Sequence, residues 1–121
     1  MTIVQMKETN IHEIEKLLKI MQKYGVNCSL EFKVEEDSDP ILAIVDATVT
    51  IDYFEDETED KFLLVDLNGA DFSFSEKKST FHKYISDCEF DICISSDRFA
   101  AWFCSAALPI EAISEAKEAK Q

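Results

Sequence analysis

The sequence predicts an α+β fold. The expected architecture is a single domain over residues 1–121, built on an antiparallel sheet of about five or six strands. An N-terminal helix, a short middle helix and a C-terminal helix pack on one face of that sheet. Three observations carry this. The apolar period changes from about 3.6 residues to 2 after Gly25. The alternating segments come in runs joined by hairpin-length links. The chain has only two Gly and two Pro, too few for a loop-rich fold.

The first element is a helix capped by Asn10, with Glu13 placed three residues on to complete a capping box. Ile11, Ile14, Leu18 and Met21 form its apolar stripe, widened by Leu17, Ile20 and Tyr24. Lysines gather late in it, which suits the helix dipole, and Gly25 stops it. Cys28, Leu30, Phe32 and Val34 then alternate with polar residues as a half-buried strand. After a turn at 36–40, one long strand is expected from Ile41 to Tyr53. Its odd positions are all apolar, and Asp46, Thr48, Thr50 and Asp52 sit at even ones. A one-residue slip would bury those polar groups, so the register should be firm.

Residues 55–60 read as an acidic loop. Asn68-Gly69 is the preferred pair for a two-residue type I′ hairpin turn. Counting outward sets Leu67 against Ala70, Asp66 against Asp71, Val65 against Phe72 and Leu63 against Phe74. Residues 76–87 fit a short amphipathic helix through Phe81, Tyr84 and Ile85. Cys88 to Ser95 alternates as a strand. Phe99 to Ala106 is apolar on both faces and reads as a buried central strand, with helix as the alternative. Pro109 opens a closing helix whose Ile110, Ile113 and Ala116 face the core, with Lys117 and Lys120 at its end.

Composition narrows the function. The chain has 121 residues, a net charge of −13 and 46% apolar residues. The charge argues against direct contact with nucleic acid or an anionic membrane, because phosphate contacts need Lys and Arg. No apolar run reaches the length of a membrane span. The start of the chain lacks a signal-peptide layout, so a cytoplasmic location is expected. Cys28, Cys88, Cys93 and Cys104 are then expected to be reduced thiols without a Cys-x-x-Cys pair.

No catalytic, cofactor or metal motif stands out, and the expectation is a protein that is not an enzyme. His12 and His82 are the only histidines. His82 with Cys88 or Cys104 is the one thiol–imidazole pairing to weigh. Asp66 and Asp71 are the closest predicted carboxylate pair, and such a pair can raise one pKa. The 55–60 loop has oxygen ligands but lacks the spacing and glycine of a calcium loop.

Charge placement is more informative than its total. Residues 35–60 carry eleven acids and no base, so −11 of the −13 lies in 26 residues. These acids are Glu35, Glu36, Asp37, Asp39, Asp46, Asp52, Glu55, Asp56, Glu57, Glu59 and Asp60. Asp46 and Asp52 are expected to share the outward face of the long strand, with the flanking loops supplying the rest. Concentrated like charge destabilises a fold, which points to a basic protein partner that neutralises it. In size, acidity and lack of motifs the chain resembles bacterial toxin-immunity proteins. That resemblance implies an inhibitor of a basic, nuclease-type toxin; a phage-encoded inhibitor is a close variant. The alternating order of helices and strands also resembles that of effector-secretion chaperones, which bind partner segments through apolar surface and dimerise. An enzyme with an unrecognised site is the third alternative.

Overall fold

The structure is a computed structural model that describes residues 6–35 and 38–118. Its elements run β1 (Lys7–Thr9), α1 (Ile11–Tyr24), β2 (Cys28–Lys33), β3 (Leu42–Ala47), β4 (Val49–Glu55), β5 (Lys61–Leu67), β6 (Ala70–Ser75), β7 (Thr80–Ile85), β8 (Phe90–Ser95), β9 (Ala100–Ser105) and α2 (Ile110–Lys117). The α+β class holds, but among the described residues there are two helices rather than three. The strands form two antiparallel sheets, one of six in the order β1-β7-β8-β9-β2-β3 and one of three in the order β4-β5-β6.

Helix α1 begins and ends where its residues dictate. The Asn10 side chain accepts a hydrogen bond from the Glu13 backbone N–H at 3.0 Å. Gly25 closes the helix in the left-handed region, at φ 67°, where a Cβ would be strained. Ile11, Ile14, Leu17, Leu18, Ile20 and Met21 are all buried. So wide an apolar arc suits a helix with neighbours on several sides, and α1 packs against β4, β7 and α2. Lys23 Nζ and Tyr24 Oη both donate to Glu115 of α2, each at 3.0 Å to Oε1. Within α2, Ala112, Ile113 and Ala116 are buried, whereas Ile110 is exposed against expectation. Ile110 sits in the first turn next to Pro109, ahead of the face that meets α1. Lys120 lies outside the described residues.

The predicted middle helix is strand β7, paired with β1 on one side and β8 on the other. Lys83 explains the misreading. It occupies the same side of β7 as buried Phe81, where a period of 2 calls for an apolar residue. The structure neutralises it there through Glu13 of α1, at 2.6 Å. The 68–69 hairpin forms in the expected register, with Asn68 and Gly69 both at positive φ.

The expected long strand from 41 to 53 is divided. At Thr48 the chain leaves the six-stranded sheet and enters the three-stranded one. Just before this, β3 carries a bulge. Cys28 faces Ala47 but Leu30 faces Ile44, so β3 holds one extra residue. Asp46 adopts the left-handed φ of 58°. Its N–H donates to Ser29 Oγ at 3.1 Å, and its Oδ1 accepts from Asn27 Nδ2 at 3.0 Å. Aspartate tolerates this conformation better than most residues. The bulge reverses the alternation. Ala47 and Val49 are buried as expected, but Ile41, Ala43 and Val45 are exposed and Ile44 turns inward instead.

The two sheets share one core. Phe74 of β6 meets Phe103 of β9 edge-on at 6.0 Å, and Phe72 lies 5.1 Å from Phe32 of β2. Among the described residues, no helix is long and apolar enough to cross a membrane.

Candidate functional site

The acidic segment begins in the β2–β3 link and ends in the β4–β5 loop, at the two ends of the β3–β4 run. Glu35, Asp39, Asp46, Asp52, Glu55, Glu57 and Glu59 are exposed. Glu36 and Asp37 lie outside the described residues. The expectation that Asp46 and Asp52 share one strand face does not hold, because they belong to different sheets. The division at Thr48 and the bulge at Asp46 are the cause.

Two of the acids shape the β4–β5 loop. Asp56 Oδ1 accepts from the Thr58 N–H at 2.9 Å, the Thr58 hydroxyl at 2.7 Å and the Asp60 N–H at 3.1 Å. Asp60 is buried, with 5% of its surface exposed. It accepts from the Ser75 hydroxyl and from the Lys77 N–H. The Ser75 hydroxyl holds the Asp60 carboxyl below its ordinary pKa, and the Thr58 hydroxyl does the same for Asp56. These two acids fix the loop that presents Glu57 and Glu59.

Among the described residues, ion pairs join Lys19 to Glu15, Lys23 to Glu115, Lys33 to Glu31 and Lys83 to Glu13. All four acids lie outside residues 35–60. Lys77 Nζ donates to the Thr58 carbonyl at 2.9 Å, so it serves the loop backbone.

The carboxylate pair forms as counted, with Asp66 directly opposite Asp71. Gly69 N–H donates to Asp66 Oδ1 at 2.7 Å. The Asp71 pKa is raised, first by a hydrogen bond shared with Asp66 and then by its negative charge. Both line a hollow of ≈ 450 Å³ on the outer face of the three-stranded sheet. Asp52 lines it as well, a grouping the sequence could not show without the β4–β5 register. Among the described residues, no set of three or more acids, His or Cys is placed to hold a metal ion.

A raised folded-state pKa means that folding takes up protons. The penalty from Asp71 is therefore absent below the ordinary carboxylate pKa of about 3.9 and complete above the raised folded value. Asp71→Asn should raise the melting temperature at neutral pH. The gain should shrink to nothing as the pH falls to about 4. Melts that show no gain at neutral pH would disprove the like-charge contact.

None of the four cysteines is in a disulfide among the described residues. Burial pushes the Cys28 thiol up to about 12. Desolvation and then Asp91 push Cys104 up to about 12, so it stays protonated at neutral pH. The residue set against His82 is Cys93, not Cys88 or Cys104. Cys93 is fully buried, between His82 and Trp102 in one cross-strand row. Cys88 is exposed in the β7–β8 link. His12 is exposed on α1, with its ring 5.6 Å from that of Tyr53.

Exposed apolar side chains gather beside the acids. Val34 directly follows β2, and Ile41, Leu42 and Val45 lie in or just before β3. In the region 78–106, where an exposed apolar face would favour a chaperone-like role, the large exposed apolar residues are Tyr84 and Phe99.

The fold and this surface together define a small acidic α+β protein of two antiparallel sheets. No family model matches the chain, and no curated protein or solved structure matches it.

Proposed function

We propose that this protein binds and neutralises a basic protein partner through the acidic surface of residues 35–59. The observation that carries this reading is the exposure of seven acids from that segment, while the ion-paired lysines of the described residues pair with acids elsewhere. Such a surface lowers the energy of a cationic face that approaches it and speeds the encounter. In this reading the protein is an inhibitor in the manner of an immunity protein to a nuclease-type toxin, or of a phage-encoded inhibitor. Its carboxylates stand where nucleic-acid phosphates would stand on the partner. It acts as a binding protein in the cytoplasm, without catalysis or a cofactor.

The test is affinity capture from the source cell on immobilised protein at low salt, followed by a salt gradient. A basic protein that elutes as salt rises is expected, because screening weakens exposed charge pairs. Retained proteins that are neutral or acidic and insensitive to salt would overturn the reading.

A further inference from the structure

We infer that the partner supplies an extended segment that adds to the free edge of β3 as a seventh strand of the larger sheet. This rests on the reading above and specifies how the partner is held. Strand β3 pairs with β2 on one side and with no strand among the described residues on the other. Its backbone is therefore a template for one more strand. Natural edges are usually blunted by charges, Pro or a bulge. Here Pro40 stands before the edge and the Asp46 bulge ends it, and residues 41–45 between them carry no charge. Ile41 is 68% exposed and Val45 is 75% exposed.

Charge decides between occupants. An antiparallel copy of 41–45 would bring Asp46 of one chain to the Pro40–Ile41 end of the other, near Asp39. Two chains of net charge −13 would also repel as wholes. A cationic segment meets the opposite situation. Its centre lies along Ile41 and Val45, while Lys or Arg at its ends reach Asp39 and Asp46. Running inward from the edge across the sheet face, a hollow of ≈ 360 Å³ lined by Glu31, Lys33, Ala43, Val45, Asp91 and Trp102 receives side chains, and Lys33 there is paired with Glu31. Backbone pairing supplies affinity in this mode, and the alternate side chains supply selectivity.

The probe is a short synthetic peptide of alternating Val and Thr with Lys at both ends, titrated by fluorescence anisotropy at low salt. Two companions are compared with it: the same peptide with Glu at the ends, and a Lys-ended version with alternate backbone nitrogens methylated. The Lys-ended peptide should bind and slow amide hydrogen exchange in residues 41–45. Methylation should weaken it by about ten- to hundredfold, since it removes the strand's donors and keeps its charge. If the methylated peptide binds equally, edge pairing is wrong and attraction to cations survives. If Lys-ended and Glu-ended peptides bind alike, the cationic-partner reading falls as well. A failure of the Lys-ended peptide to bind overturns edge pairing. So does a dimer in sedimentation that buries this edge against a second copy.

Discussion

Replacing Phe103 by Ala should cost about 3–5 kcal/mol of folding stability. The side chain is 2% exposed, midway along β9, with Leu30 and Ile92 as its cross-strand neighbours. Above it lies Phe74 of the smaller sheet, edge-on at 72°. Phe103 therefore joins the two sheets, and shortening it leaves a cavity on both sides of their contact. A domain of this size has a total stability of about 5–15 kcal/mol, so the variant should populate unfolded chains under mild urea. Phe99→Ala is the control. Phe99 also touches an aromatic ring, that of Phe32, but it is 39% exposed. Its loss should cost no more than about 1–1.5 kcal/mol. Urea unfolding at neutral pH measures both. Equal shifts in midpoint would mean that the smaller sheet does not share the core of the larger one.

The elements legible in the sequence are those whose causes are local. Asn10, Glu13 and Gly25 define α1 without help from the rest of the chain. Asn68-Gly69 defines its hairpin, and the cross-strand pairs follow by counting. The misread elements depend on contacts made far along the chain. Lys83 spoils the alternation of β7 until Glu13, seventy residues earlier, is placed against it. β1 spans only three residues and exists through its pairing with β7. Asp46 looks like a polar position on an alternating strand. Only Asn27 and Ser29 across the sheet show it to be a bulge. The same applies to the acidic surface. Its concentration in residues 35–60 is plain from the sequence. Its division between two sheets is not, nor is the use of Asp56 and Asp60 as acceptors inside their own loop.

That distinction among the acids sets the most informative substitution. The triple variant Glu35→Gln, Glu57→Gln and Glu59→Gln removes three exposed charges and leaves Asp56 and Asp60 to hold the loop. Glu55 is left in place because it faces Lys61 across the β4–β5 pair. Affinity for the basic partner should fall roughly ten- to hundredfold at low salt, with most of the remaining difference lost at high salt. The same variant should melt at a higher temperature than the parent. Like charges held together in the native state repel one another, and the unfolded chain lets them separate. Salt should narrow that second difference too, because screening reaches the parent's repulsion first. Binding and stability thus move in opposite directions, which a simple unfolding defect cannot produce. A variant that gains stability while binding unchanged would mean that the acidic surface serves something other than partner recognition. One that loses binding with no gain in stability would place the lost affinity in loop shape and not in charge. Asp60→Asn separates these outcomes. It removes a charge already engaged by Ser75 and Lys77, so it should lower stability near neutral pH. Its depressed pKa gives the sign: the stabilisation by charged Asp60 is complete above the ordinary carboxylate range and is lost as the pH falls through the folded value.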